Sequence, residues 1–352
     1  MTGRLTPELL ELRAVARKML ADSADWSQLA DAGWLGLEVA EELGGSGVTF
    51  AEVAVLLQEM GRAASAGPYS STVALGVGAL NLLDANGTTE WLAAIAAGER
   101  RLAVALPAGD ATGLAFRLLR EGGALRLEGR AEFVADAVHA EQILLAALDP
   151  DGVPVLVVAP GDVKVAEQPV IDATRSFARL TAASVPVNPD AVWPFRADPA
   201  GSVQALLNRG ALAIACDSLG VAEAMLDATV AYAGVRQQFG RFIGSFQAVK
   251  HACADMLVQI TIGRELLAAA VQAVACGDPD ARVAVSMAKS FLGGLAVDVA
   301  GKAMQLHGGY GYTWESGVHT YLKRAVLDRA LFGSPAAHRA RIAARYPAVG
   351  SQ

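Results

Sequence analysis

The sequence predicts an α+β protein made of an N-terminal helical domain, a middle antiparallel β domain and a C-terminal four-helix bundle. Apolar residues recur at helical spacing from residue 7 to about residue 98. Short apolar or alternating runs bounded by Gly, Asp and Pro then fill residues 101–187, and helical spacing returns over longer segments from Ser202 onward. These changes of pattern predict domains over residues 1–100, 101–195 and 196–352.

Glycine-rich breaks divide the N-terminal domain into helices of modest length. The GGSG run at 44–47 precedes a helix that begins at Phe50, and the Gly67-Pro68 turn precedes a helix that begins at Ser70. The first twenty residues carry charges every few positions, so they lack the apolar core of a signal peptide. We expect them to form an ordinary amphipathic helix.

The middle and C-terminal domains differ in the length of their elements. Strand-like runs such as LAVAL, QILLAAL and VPVLVVAP end at a proline-rich spacer, residues 187–200, which predicts a linker or an edge segment. Helices are then predicted over residues 202–235, 244–275, 279–305 and about 335–346, with Gly277 as a C-cap and Pro279 at the first position of the next helix. Three long helices with short joints are typical of an antiparallel bundle.

Composition excludes several classes of protein. The 352 residues are 53% hydrophobic and 18% charged, which excludes disorder, and the net charge of −7 with a pI near 5.3 argues against a nucleic-acid surface. The three cysteines are far apart and lack the spacing of metal ligands, so we expect no metal site and a reducing, cytoplasmic location. The apolar stretch 210–235 is interrupted by three acidic residues, which predicts a buried helix rather than a membrane span.

A first candidate site lies where one long helix ends and the next begins. Arg236-Gln237-Gln238-Phe239-Gly240-Arg241 is followed by Gly244-Ser245-Phe246-Gln247. Two arginines and the amides of a helix start would form a site for a phosphate or pyrophosphate. Alternatively, the arginines pair with carboxylates on neighbouring helices and the two phenylalanines belong to the core.

A second candidate site lies at the end of the third long helix. The run from Gln305 to Glu315 contains three glycines in four residues and three aromatic residues. The glycines would allow a backbone to approach a ligand closely, and the aromatic rings would offer flat surfaces to a planar group. The alternative is a glycine-rich helix C-cap with packed aromatic residues.

Together, in this order and at this separation, the two segments resemble the C-terminal domain of the acyl-CoA dehydrogenase family, with its R-x-x-F-G, F-Q and Q-x-x-G-G-x-G-[FY] pattern. In the middle domain, residues 127–134 and 140–145 resemble the family's paired strands, and Asp172-Ala173-Thr174-Arg175 resembles its D-x-T-R turn. The resemblance covers essentially the whole chain and implies the family's α, β, α domain order.

The resemblance also implies a flavin site shared between subunits. In this family one chain holds the flavin ring of FAD and its neighbour holds the ADP portion. Carried onto this sequence, the ADP-binding residues would be Arg236, Gln238, Phe239, Gln305, Gly308 and Gly309. A guanidinium that faces a pyrophosphate at a helix start is physically sound.

The flavin-ring half departs from the family pattern. The family's T-E-P-x-x-G-S-D segment is replaced by Ala105-Leu106-Pro107-Ala108-Gly109-Asp110, and an aromatic-[IV]-[TS] contact becomes Phe133-Val134-Ala135, which loses the hydroxyl. We therefore expect this chain to hold the ring poorly.

The carboxylate that removes the α proton of an acyl-CoA is absent from both of the family's positions. Counting along the motifs places Phe332 at one position and Gly210 at the other. Asp217, Glu315 and Asp328 are the candidate substitutes. Asp217 is equally well explained as a paired buried carboxylate, and Glu315 as a partner of Lys323 or Arg324. His307 and His319 are interpreted as packing or surface residues.

Three functions follow from this pattern. In the first, the chain is the non-catalytic subunit of an α2β2 acyl-CoA dehydrogenase and completes the FAD site of a catalytic paralogue, which acts on a sterol or another bulky CoA thioester and passes electrons to an electron-transferring flavoprotein. In the second, it is an active homotetramer with Asp217 or Glu315 as an unusual base. In the third, it is a binding or assembly protein without catalysis.

Overall fold

The computed structural model describes residues 6–111 and 113–346. These residues form two compact units, each described separately below. Unit 1 contains residues up to Ser23, Ala54–Ser65 and those from Ala211 onward, and unit 2 contains Ala24–Val53 and Ala66–Gly210. Each unit combines segments that are separate in the sequence, so the units do not test the three sequential domains, which stay a prediction.

Ten α-helices occur in the described part of the chain. In order they are α1 Pro7–Ala21, α2 Trp26–Asp31, α3 Phe50–Ala63, α4 Gly78–Leu80, α5 Thr88–Ala96, α6 Pro199–Val235, α7 Gln247–Ala275, α8 Ala281–His307, α9 Val318–Ala330 and α10 Pro335–Arg345. The helix predicted from Ser70 begins there, but its first part, Ser70–Val77, is a π-helix that is buried from Ser71 onward and leads into α4. Helix α9 was not predicted, because charged and polar residues interrupt its apolar positions and leave only a short apolar stripe.

The joint between α7 and α8 differs from the prediction by two residues. Gly277 has a φ of +67°, as a helix-ending glycine should, but α8 begins only at Ala281, so Pro279 lies outside the helix. The carboxylate of Asp278 accepts a hydrogen bond from the amide of Asp280 at 2.8 Å, which extends the turn. The prediction that Pro279 occupies the first helical position was wrong.

Unit 2 contains an eight-stranded mixed sheet. Seven of its strands follow the order β6-β7-β3-β2-β4-β5-β8, and the eighth, β1, pairs with β4. The strands are β1 Leu102–Ala105, β2 Phe116–Glu121, β3 Ala124–Ala135, β4 Gln142–Leu148, β5 Pro154–Val158, β6 Lys164–Glu167, β7 Phe177–Val187 and β8 Val192–Pro194. Most neighbouring strands pair antiparallel, as the sequence predicts. The sheet differs from the prediction at β4, because β1 and β2 both run parallel to it and pair with successive parts of the same side of β4. The proline-rich spacer supplies β8, an edge strand beside β5.

Unit 1 is helical, and α8 lies at its centre, in contact with α7, α9 and α10. Its buried residues include Val285, Leu292, Ala296, Val299 and Ala303, which recur at helical spacing. Two segments, α7 and residues 281–312, are long and apolar enough to cross a membrane by length and composition alone, a criterion that core helices also meet. The sequence had singled out residues 210–235 as the most apolar stretch.

Candidate functional site

The first motif forms an exposed hairpin at the C-terminus of α6. Strands β9 (Gln237–Gln238) and β10 (Arg241–Phe242) pair antiparallel around Phe239 and Gly240, whose φ angles are +52° and +75°. Positive φ at both central residues is the geometry of a tight type I′ hairpin. The turn holds the Phe239 side chain 91% exposed, and Arg236, Gln238 and Arg241 are exposed beside it. Phe239 is therefore not a core residue, as the alternative interpretation required.

The same hairpin leads directly into α7. The guanidinium carbon of Arg241 lies 4.1 Å from the centre of the Phe246 ring, and Phe239 meets the edge of that ring at 6.2 Å. Phe246 occupies the N-cap of α7 and provides no side-chain hydrogen bond to the first amides of the helix. Those amides and the positive end of the helix dipole therefore face an anion-binding position beside two guanidinium groups.

Tyr232 joins the two sequence motifs. It lies on α6 one turn before Arg236, whose amide donates to the Tyr232 carbonyl at 2.9 Å. Its ring stacks on His307 at 4.5 Å and on Tyr310 at 5.6 Å between centroids. This stack brings the arginine hairpin and the glycine-rich segment to one end of unit 1. Sequence reasoning missed Tyr232, since a lone tyrosine on an apolar helix carries no motif.

The glycine-rich segment presents backbone to solvent. Helix α8 ends at Gly308, which has a φ of +60°, and a 3₁₀ turn follows over Gly308–Tyr312. A Cβ built on Gly308 or Gly309 meets no atom within 4 Å, and Gln305 is exposed beside them. The predicted ADP-binding residues thus lie on one exposed surface, which we call the arginine–glycine face: Arg236, Gln238, Phe239, Gln305, Gly308 and Gly309.

In unit 2, the segment that should hold a flavin ring has a different chemistry. Phe133 and Asp136 have φ angles of +54° and +55°, so a strained turn is retained at the end of β3. Asp136 is half-buried, and its carboxylate accepts a hydrogen bond from the Ser71 hydroxyl at 2.6 Å. The desolvation of this carboxylate raises the pKa of Asp136, while Ser71, Arg175 and His139 oppose this shift. A half-buried acid therefore follows Ala135, where the resemblance implies a hydroxyl.

We expect Asp136→Asn to stabilise the protein at pH values above the folded pKa of Asp136 and to lose this advantage as the pH falls toward the ordinary carboxyl pKa. A carboxyl whose folded pKa is raised contributes its full stability below its ordinary pKa and loses it as the pH rises through the folded value. Thermal unfolding between about pH 4 and pH 8 measures the difference, with the exposed Asp162→Asn as the control. A gap that is constant with pH would contradict the prediction.

The turn at the first expected base position carries Phe332 and is fixed from two sides. Phe332 and Gly333 have φ angles of +55° and +106°. The fully buried Lys289 of α8 donates to the carbonyls of Asp328 at 2.9 Å and Gly333 at 3.1 Å. A ring nitrogen of His338 lies 3.0 Å from the Phe332 carbonyl. The turn is thus ordered by buried polar groups although residue 332 has no carboxylate.

The second expected position, Gly210, is a buried residue of α6. The neighbouring Arg209 forms a two-point ion pair with Glu38, donates to the Ala74 carbonyl at 2.8 Å and lies 4.6 Å above the Phe50 ring. Only 12% of each charged side chain is exposed. Glu38 cannot act as a free base here, because its charge is neutralised by Arg209.

The fallback carboxylates do not supply a free base either. Both carboxylate oxygens of Asp217 accept from Arg324, at 2.9 and 2.6 Å, inside unit 1. Glu315 is fully exposed, and its own amide and the Thr313 hydroxyl hold its pKa below the usual range. The suggested pairing of Glu315 with Lys323 or Arg324 was wrong, because Arg324 binds Asp217 and the Lys323 ammonium lies over the Trp314 ring at 5.3 Å. Asp328 is fully buried.

The two histidines are packing residues in this structure. His307 is 6% exposed and stacks on Tyr232, and His319 meets the edge of the Trp314 ring at 4.5 Å. Within residues 6–111 and 113–346, no group of three or more His, Cys, Asp or Glu side chains could hold a metal ion.

Comparison with known proteins decides the family. Residues 3–99 match the model of the acyl-CoA dehydrogenase N-terminal domain, and residues 200–346 match that of the C-terminal domain. The chain is 33% identical over 325 residues, 89% of its length, to the acyl-CoA dehydrogenase IpdE2 of Mycobacterium tuberculosis, of which it covers 84%. The chain belongs to the acyl-CoA dehydrogenase family.

Two solved structures of acyl-CoA dehydrogenase-like chains share this fold at 25% identity or more. A chain of the ChsE4-ChsE5 complex from Mycobacterium tuberculosis is 25% identical with a TM-score of 0.88, and the match covers all of both chains. A chain of the Tcur3481-Tcur3483 steroid ACAD variant is 28% identical with a TM-score of 0.85, over 96% of this chain and 97% of that one.

Acyl-CoA dehydrogenases are FAD-dependent oxidoreductases. The residues of this chain suit the ADP half of FAD but not the flavin ring. The arginine–glycine face has guanidinium groups, uncapped helix amides and open glycine backbone, which suit a pyrophosphate and its nucleoside. In unit 2, Ala135 offers no hydroxyl to a flavin ring, and the neighbouring Asp136 carboxylate is bound by Ser71, so this half does not fit the ring.

Proposed function

We propose that this chain is the non-catalytic subunit of a heteromeric acyl-CoA dehydrogenase of composition α2β2. Its arginine–glycine face binds the ADP portion of the FAD that a catalytic paralogue holds by the ring. The catalytic chain supplies the base and carries out α,β-dehydrogenation of an acyl-CoA thioester. In this arrangement the present chain contributes binding energy and assembly rather than a reacting group.

The proposal rests on one observation, that no candidate residue presents a carboxylate that could act as the base. Residues 210 and 332 have no carboxylate, and Asp217, the best substitute, is bound at both oxygens by Arg324. An ion-paired, buried carboxylate cannot abstract a proton without first breaking that pair, which is energetically costly. An active homotetramer has no better candidate, since Glu315 is exposed and its pKa is lowered.

The base is missing, but the arginine–glycine face keeps the residues expected to bind ADP. This difference argues against a protein that no longer binds FAD at all. Arg236, Phe239, Gly308 and Gly309 are all exposed, and the stack of Tyr232 on His307 and Tyr310 joins the two segments that carry them. Exposed aromatic and arginine side chains are typical of binding surfaces. The two named complexes, ChsE4-ChsE5 and Tcur3481-Tcur3483, each combine two chains, which supports a heteromer.

The substrate class follows from the same relatives. One of them is described as a steroid acyl-CoA dehydrogenase, so we propose a sterol-derived or similarly bulky CoA thioester as the substrate of the complex. We further propose that an electron-transferring flavoprotein accepts the electrons and that the complex works in the cytoplasm.

Expression of this chain alone, and together with a catalytic paralogue from the same genome that retains the base and the T-E-P segment, tests the proposal. We expect little or no flavin in the chain alone and a yellow heterotetramer on co-expression, with about one FAD for each pair of unlike chains. Absorbance spectra give the flavin content, and native mass spectrometry gives the composition.

One FAD per chain in an active homotetramer would contradict the proposal and favour the homomeric enzyme. Absence of flavin with every paralogue would favour a binding or assembly protein. One variant separates the heteromer from the homomer, because Asp217→Asn should leave flavin reduction by substrate unchanged in the heteromer and should abolish it in a homomer that uses Asp217 as its base.

A further inference from the structure

The arginine–glycine face is formed within a single chain, since all of its residues belong to unit 1. The Ile243 amide donates to the Arg236 carbonyl at 2.8 Å, which closes the hairpin. The Tyr232 ring stacks on His307 and Tyr310 and so joins the hairpin to the glycine-rich segment. The face therefore has its shape before a partner chain is present, and a preformed site loses little conformational entropy when a ligand binds.

Positive charge is concentrated at the start of α7. Among the residues that the structure describes, neither Arg236 nor Arg241 forms an ion pair with a carboxylate. The Arg241 guanidinium lies over the Phe246 ring instead, and Phe246 gives the first amides of α7 no side-chain cap. Two guanidinium groups beside open helix amides favour a ligand with several phosphate oxygens close together.

Aromatic side chains and open backbone lie beside this charge. Phe239 is 91% exposed and Tyr310 is 45% exposed. A Cβ built on Gly308 or Gly309 meets no atom within 4 Å. Exposed aromatic rings offer flat surfaces on which a purine base stacks, and glycine backbone allows a nucleotide to approach closely. The face therefore suits the whole of ADP, its diphosphate as well as its adenosine.

The part of FAD that ADP lacks does not fit the described residues of this chain. FAD adds a ribityl chain and the flavin ring to the ADP portion, but Ala135 offers no hydroxyl to the ring and the Asp136 carboxylate is bound by Ser71. Two ligands are discriminated only by contacts with the part in which they differ. ADP also ends in a free phosphate, which carries more negative charge than the esterified phosphate of FAD and so binds arginine at least as well.

We propose that free ADP binds the arginine–glycine face of the unassembled chain and competes there with FAD, so that ADP regulates assembly of the heteromer. Selection of FAD over ADP then belongs to the catalytic chain, which holds the flavin ring. ADP fills the diphosphate site without reaching a second chain, so a chain loaded with ADP is not linked to its partner through FAD. This regulation rests on the proposed function above, whereas the binding of ADP does not.

Isothermal titration calorimetry of the flavin-free full chain with ADP, FAD and FMN is the first test. We expect the dissociation constant of ADP to equal that of FAD or to be up to about tenfold lower, because of the extra charge. FMN lacks the adenosine and the second phosphate and should bind at least about tenfold more weakly than ADP. Absence of ADP binding, or a dissociation constant of FAD below that of ADP, would overturn the proposal.

Variants of unit 1 locate the bound ADP. Arg236→Ala should weaken ADP and FAD binding by the same factor, about 10- to 100-fold, because it removes a charge-assisted contact with the diphosphate. Arg339→Ala is the matched control, since it removes an exposed arginine of α10 and should change neither affinity. Tyr232→Phe should retain both affinities, whereas Tyr232→Leu removes the ring stack and should weaken both. Equal ADP affinity in Arg236→Ala and wild type would overturn the proposal.

Competition during assembly is the second test. The flavin-free chain is mixed with a flavin-free catalytic paralogue and titrated with FAD, and native mass spectrometry measures the heteromer. ADP at about ten times its dissociation constant should raise the FAD concentration for half-maximal assembly about tenfold. Adenosine lacks the diphosphate and should not compete at the same concentration.

The two tests separate this inference from the proposed function. ADP binding to the chain alone, with assembly that ADP inhibits, supports both. A chain that binds ADP but forms no flavin heteromer with any paralogue contradicts the proposed function and the regulation that rests on it. A heteromer that assembles at the same FAD concentration with and without ADP supports the proposed function and overturns the inference.

Discussion

Arg324→Ala is expected to lower the free energy of unfolding by about 3–5 kcal/mol, because it leaves the buried Asp217 carboxylate without its partner. The two side chains are 4% and 6% exposed, and Arg324 also donates to the Ser65 carbonyl at 2.9 Å. Removal of the guanidinium therefore strands a carboxylate and a backbone carbonyl together. Urea unfolding followed by circular dichroism measures the loss.

Two further variants decide whether the loss reflects a stranded charge. The exposed pair Arg345–Asp280 has side chains 58% and 65% exposed, so Arg345→Ala should cost less than about 1 kcal/mol. The double variant Asp217→Leu/Arg324→Met removes both charges and should recover most of the lost stability. A loss of stability in Arg324→Ala no larger than that in Arg345→Ala would mean that the buried Asp217–Arg324 pair contributes no more to stability than an exposed pair does.

Arg236→Ala is expected to weaken FAD binding by the proposed heteromer about 10- to 100-fold, since a charge-assisted hydrogen bond to a phosphate contributes about 1.5–3 kcal/mol. The side chain is exposed in this chain, so its loss should leave the unfolding temperature unchanged. Titration of the flavin-free heteromer with FAD, followed by flavin fluorescence, gives the affinity.

Arg120→Ala serves as the matched control for Arg236→Ala, because it removes an exposed arginine from β2 of the same chain. It should leave the FAD affinity at the wild-type value. Arg236→Lys should recover part of the affinity through its charge but not the two-point geometry of a guanidinium. Equal FAD affinity in Arg236→Ala and wild type would remove the arginine–glycine face from the flavin site.

The sequence predicts most of the fold because its signals are local. Apolar spacing located α3, α6, α7 and α8 to within a few residues, and the family motifs located the two segments that meet at the arginine–glycine face. Fold and family were confirmed by the comparisons. The binding roles of Arg236 and its neighbours stay predictions.

What the sequence did not predict depends on contacts between distant residues. The stack of Tyr232 on His307, the Asp217–Arg324 pair and the Lys289 contacts each join residues that are far apart in the chain. The parallel pairing of β1 with β4 likewise follows from where β2 and β3 lie in the sheet. Periodicity and propensity describe neighbours along the chain, so they cannot specify such partners.

The buried Lys289 has a consequence for how this chain can change over evolutionary time. Because it holds the α9–α10 turn through backbone carbonyls, the turn does not depend on the side chain at position 332. A phenylalanine and a glutamate there would meet the same backbone and the same positive φ. The side chain at position 332 can therefore change while Lys289 keeps the backbone of the turn in place, so loss of a carboxylate here does not require loss of the fold.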